Sequence, residues 1–103
     1  MTGGDEEMMQ TILASVIEET EKDLRAIKTA IRKNKLSTVI LIIHRLAGRM
    51  GQTGAAQLSM QLREMEIILK QIDSTEPVKE ELQPLLKMVQ LFLIEVETIK
   101  ANR

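Results

Sequence analysis

Leu36-Ser37-Thr38-Val39-Ile40-Leu41-Ile42-Ile43-His44-Arg45-Leu46-Ala47-Gly48-Arg49-Met50 is the stretch on which the fold turns. Its apolar core, Val39 to Ile43, is β-rich by residue propensity and reads at first as a buried strand. A strand needs a partner strand, and no other segment of the chain offers one. On helical spacing Val39, Ile43, Leu46 and Met50 form a single stripe. The segment is therefore expected to be a helix, with tertiary packing overriding propensity.

The segments on either side support that choice. Upstream, Met9, Ile12, Leu13, Val16, Ile17, Leu24, Ile27 and Ile31 recur mostly at gaps of three or four and predict a long helix over 5–33. Asp5, Glu6 and Glu7 suit the positive end of its dipole. Lys33 and Asn34 close it with a basic residue and one tolerant of left-handed backbone. Thr20 interrupts the stripe, so a bend, or a short extra N-terminal helix ahead of the main one, is also compatible with the pattern. Downstream, Gly51-Gln52-Thr53-Gly54 is a helix–helix turn. Leu58, Leu62, Met65 and Leu69 then predict a helix over 55–72, and Asp73-Ser74-Thr75 supplies capping side chains for the next. Val78, Leu82, Leu85, Val89, Phe92, Val96 and Ile99 predict a last helix over 76–100. Pro77 fits its first turn. Pro84 calls for a kink, or for a short turn ahead of the main helix. Four helices on short connections predict an all-α, antiparallel up-and-down bundle in one domain, 1–103, with a radius of gyration of ~13 Å.

Composition removes several function classes. Lys and Arg total 14 against 15 Asp and Glu, a net charge of −1, which gives no general reason to expect nucleic acid or a membrane as partner. There is no Cys, so disulfides and thiolate chemistry are excluded. A single His cannot build a His-rich metal site, and one Phe without Trp or Tyr offers no platform for stacking bases. No signal peptide is visible at the N-terminus, and the longest apolar run is far short of the ~20 residues that cross a bilayer. A cytoplasmic location is the expectation.

His44 is the residue with distinctive chemistry. It follows the apolar run and sits on the flank of the core stripe, with Ala47 and Gly48 one turn on and Gly51 after them. A Gly inside a helix costs ~1 kcal/mol relative to Ala, so either another helix packs closely there or a partner approaches the imidazole from outside. Taken alone, a lone His on a helix flank is ordinarily a half-buried surface residue, and Arg45 and Arg49 could be solvated charges.

The order of residues adds weight. His44-Arg45-Leu46-Ala47-Gly48, then Gly51, Gly54-Ala55, Leu58 and a late Met65-Glu66, resembles the histidine-containing phosphotransfer (HPt) domains of bacterial two-component phosphorelays. The resemblance is detailed over about 36–69; the flanking helices agree in length and pattern. It implies that His44 is the phosphoacceptor and that Glu66 orients its imidazole. Neutral imidazole is a competent nucleophile near neutral pH, provided that the other ring nitrogen holds the proton. The family usually carries Lys where this chain has Ala47; Arg45, Arg49 and Arg63 are the candidates to supply the missing charge for the phosphoryl group, Arg being a good fork for phosphate oxygens. Ile40, Leu41, Ala47, Gly48 and Gly51 are the candidate docking residues for a partner. Glu66 and the arginines could equally be solvated charges.

No glycine-rich nucleotide loop and no acidic cluster for magnesium is present, so the chain is read as a carrier rather than an enzyme, without a cofactor of its own. The resemblance implies response-regulator receiver domains as partners, including those of a hybrid sensor histidine kinase, with magnesium on the receiver; a monomer is expected. Two competing readings stay open. One is a non-catalytic helical interaction module, for which seven Met would suit an adaptable surface. The other is the dimerisation hairpin of a histidine kinase, disfavoured because Arg45 follows the His and no Pro comes before Pro77.

Overall fold

The computed structural model describes residues 2–102. Four α-helices follow one another: α1 (Thr2–Arg32), α2 (Leu36–Gln52), α3 (Ala56–Leu69) and α4 (Lys79–Ala101), the last preceded by a 3₁₀ turn at Glu76–Val78. No strand occurs among the described residues. Each helix packs against its two neighbours, in the cyclic order α1–α2–α3–α4, which is the antiparallel bundle expected from the short loops.

The stretch from Val39 to Ile43 is helical, and Val39, Ile42, Ile43, Leu46 and Met50 are buried. They meet Ile27 and Ile31 of α1, Leu62 and Leu69 of α3, and Leu82, Leu86 and Val89 of α4 in one core. At the α1–α2 turn Asn34 adopts φ 53°, the left-handed closure the sequence suggested. Its Oδ1 also accepts from the backbone N–H and the hydroxyl of Thr75, each at 3.0 Å, and ties that turn to the α3–α4 connection. Gly54 turns the chain from α2 to α3 at φ 91°, a conformation that favours glycine. Before α4, Ser74 Oγ accepts from the backbone N–H of Glu76, while Thr75 is committed to Asn34 rather than to a cap. The 3₁₀ segment Glu76–Val78 carries Pro77 at its start, and α4 runs on uninterrupted through Pro84, so the short turn suggested by the sequence does not split off there.

Three expectations are corrected. α1 is one continuous helix, with no separate N-terminal piece, because Thr20 does not break the buried face. Thr20 is fully buried and accepts a long hydrogen bond (3.5 Å) from Arg49 of α2. The upper part of the α1 stripe is not core: Met9 and Ile12 are exposed. The end of α2 reaches the middle of α1, where Arg49 meets Thr20, and the first half of α1 runs beside the end of α4, as in the contact from Gln10 to the Lys100 carbonyl. For the same reason the molecule is elongated, 53 × 22 × 19 Å with a radius of gyration of 14.9 Å rather than ~13 Å.

Candidate functional site

α2 presents three faces. One points to the core. His44 lies on the flank toward α3, and the next residue, Arg45, rotated by about 100°, falls on the flank toward α1. That rotation separates the side chains that the sequence places side by side.

On the α3 flank, His44 Nδ1 lies 3.0 Å from Glu66 Oε2 and 3.2 Å from Oε1. The His44 side chain is 61% exposed while that of Glu66 is 11% exposed, so an open imidazole rests on an enclosed carboxylate. Burial by itself raises the pKa of Glu66. Hydrogen bonds from Lys70 and His44, together with their charges, outweigh that effect and hold the carboxyl below its ordinary value of 4.5. Glu66 is therefore ionised at neutral pH and can only accept. In the neutral imidazole Nδ1 then carries the proton and Nε2 keeps its lone pair. Nε2 has no hydrogen-bond partner among the described residues.

Lys70, one turn beyond Glu66, donates to the same oxygen, Oε2, at 3.2 Å. The sequence reading missed this lysine, although its i,i+4 spacing from Glu66 is the available signal. Arg63 sits one turn before Glu66, exposed and without a side-chain hydrogen bond or ion pair among the described residues.

On the α1 flank, Arg45 and Arg49 are engaged elsewhere. Arg45 donates to Asp23 Oδ1 at 2.8 Å and Arg49 to Asp23 Oδ2 at 2.9 Å. Asp23 is buried in α1, and two guanidinium groups offset the burial of its charge. The expectation that these arginines supply charge beside His44 is corrected accordingly: helical rotation turns them toward α1. Asp23 was invisible as their partner because it lies 22 and 26 positions away on another helix.

The candidate docking residues also divide. Leu41 is 53% exposed and Ile40 half-buried. A Cβ built on Gly48 meets no atom within 4 Å, so this glycine faces open space and is not required for helix packing. Gly51 is different: a Cβ there would lie 3.2 Å from Ser59 Oγ, which itself donates to the Ala47 carbonyl at 2.7 Å. Gly51 thus serves the close approach of α3 as well as the surface. Ala47 is fully buried and cannot touch a docked partner; it lies four residues after Ile43, on the edge of α2 that α3 covers.

With an open imidazole on the second helix of a four-helix bundle and a carboxylate on the third, the comparison with known families is decisive. The family model described as Hpt domain matches residues 11–101. The chain belongs to the Hpt domain family. Members of this family carry phosphoryl groups on a histidine in phosphorelays, exchange them with response-regulator receivers, and are carriers rather than kinases. The match takes in α2, α3, α4 and all but the first residues of α1, well beyond the motif around His44. A search of curated proteins finds no significant match, and neither does a search of solved structures. No helix among the described residues is long and apolar enough to cross a membrane. Among them, too, no group of three or more His, Cys, Asp or Glu side chains gathers to hold a metal ion.

Proposed function

We propose that His44 is the phosphoacceptor of this Hpt domain, taking a phosphoryl group from the aspartate of one receiver and passing it to that of another. The lone pair on Nε2 attacks phosphorus, forming an N–P bond. The P–O bond to the receiver's carboxylate breaks, and the carboxylate leaves with that electron pair. Nδ1 keeps its proton throughout, held by Glu66. The positive charge on the phosphorylated ring then sits against an ionised carboxylate, which stabilises the intermediate without trapping it. Return of the phosphoryl group to a second aspartate is the same step reversed.

The observation that carries this reading is the single contact of Nδ1 with Glu66, which leaves the other ring nitrogen bare and exposed. Arg63, exposed one turn from Glu66, is the arginine left to meet the phosphoryl oxygens, since Arg45 and Arg49 are engaged by Asp23. The receiver docks over the outer face of α2, where Leu41 offers apolar surface and Gly48 leaves room. Magnesium belongs to the receiver, and the chain needs no cofactor of its own. Incubating the chain with a radiolabelled phospho-receiver, then adding a second, unphosphorylated receiver, tests the relay. Label should move onto the chain and off again. No transfer from any of a panel of receivers to the chain, with the receivers active toward another Hpt domain, overturns the proposal.

A further inference from the structure

A glutamate reaching across from a neighbouring helix can orient an imidazole only if the carboxylate itself is held. Its side chain has three rotatable bonds, and a carboxylate tends to turn toward water. Glu66 is pinned at two points: His44 Nδ1 and Lys70 Nζ, 3.0 and 3.2 Å from the same oxygen, Oε2. Lys70 is four residues C-terminal to Glu66, the favoured orientation for such a pair on a helix. No other cation of the neighbourhood makes that contact. Position 47 holds an enclosed alanine, Arg45 and Arg49 are bound to Asp23, and Arg63 makes no ion pair among the described residues.

We propose that Lys70 is a positioning residue for His44: by holding Oε2 of Glu66 it fixes the carboxylate against Nδ1–H and so selects the tautomer in which Nε2 is the nucleophile. The catalytic consequence rests on the phosphotransfer reading; the positioning itself does not. Lys70 touches neither His44 nor a transferred group, and it acts through Glu66 alone. An ordinary surface ion pair at this spacing would add slightly to helix stability and leave the imidazole unaffected.

The test uses the full chain with Lys70→Met, which keeps the aliphatic stem, and Lys70→Arg, which keeps the charge. The single imidazole makes ¹⁵N NMR of its ring nitrogens unambiguous. The parent should show the Nδ1–H form dominant at slightly alkaline pH. Lys70→Met should lower the ratio of the Nδ1–H to the Nε2–H form by about two-fold, the size expected of one such pair. The rate of His44 phosphorylation by phosphoramidate, a small donor that needs no receiver, should fall in parallel. Lys70→Arg should restore both. An unchanged ratio in Lys70→Met, with thermal unfolding like that of the parent, overturns the proposal. If the tautomer shifts as described but neither receivers nor phosphoramidate phosphorylate the parent, phosphotransfer is the reading that fails and the positioning role stands.

Discussion

Replacing Gly48 with leucine should make the domain more stable and less able to exchange phosphoryl groups with a receiver. Gly48 lies inside α2, one turn beyond His44, and a Cβ there meets nothing within 4 Å. The substitution thus relieves the helix-propensity cost of glycine without forcing any neighbour to move, a gain of about 0.5–1 kcal/mol. For a domain of this size the melting temperature should rise by roughly 2–8 °C. The same side chain projects from the outer face of α2 into the space a receiver must enter. Circular dichroism melting and transfer from a labelled receiver read the two effects separately, and phosphoramidate checks that His44 still reacts. Gly51→Leu is the control. Its Cβ would press on Ser59 Oγ at 3.2 Å and disturb the hydrogen bond to the Ala47 carbonyl, so it should destabilise by about 1–3 kcal/mol. A Gly48→Leu domain that unfolds more easily would show that the glycine serves internal packing. One that is stable and exchanges label with the receiver at the parent rate would refute docking over this face.

Asp23→Ala should cost about 2–3 kcal/mol, at or just below the lower end of the range for a broken buried pair, because Arg45, at 44% side-chain exposure, can return to water while Arg49, at 16%, cannot. A urea midpoint close to the parent's would contradict the clamp. Because the Glu66 carboxyl lies below its ordinary value of 4.5, its contribution to folding is complete above 4.5 and is lost as pH falls through the lower folded value. A carboxyl ¹³C titration of Glu66 with its midpoint at or above 4.5 would count against the double contact with His44 and Lys70. Arg63→Ala should leave the ring tautomer alone yet change the lifetime of the phosphorylated form or its transfer rate by about two- to five-fold, the worth of an exposed charge-assisted contact. Identical hydrolysis and transfer rates would remove Arg63 from the site.

The helices and the pairing of His44 with Glu66 could be read in the sequence because each depends on spacing along one chain segment or on a family pattern. Val39 to Ile43 yielded to the stripe Val39–Ile43–Leu46–Met50, and Asn34 and Gly54 announced their turns by residue type. The Asp23 clamp was hidden. Within Glu21-Lys22-Asp23-Leu24-Arg25 the aspartate looks like one more solvated charge, and only the rotation of α1 against α2 turns it inward. That rotation also decides that Arg45 and Arg49 serve α1, and it is a property of two helices together. Ala47 misled for a related reason: the motif marks it as part of the site, while α3, through Ser59, covers it. Met9 and Ile12 follow the core period faithfully, but the length of α2 determines how far up α1 there is anything to pack against.

The central claim is that His44 itself carries the phosphoryl group, and site mapping tests it most directly. The chain is incubated with a labelled phospho-receiver, separated, and digested, and the modified peptide is identified by mass. The expected result is one phosphoryl group on the peptide containing His44, labile in acid and stable in base as a phosphoramidate is, and absent from His44→Gln. Label that survives acid, or that persists in His44→Gln, would contradict it.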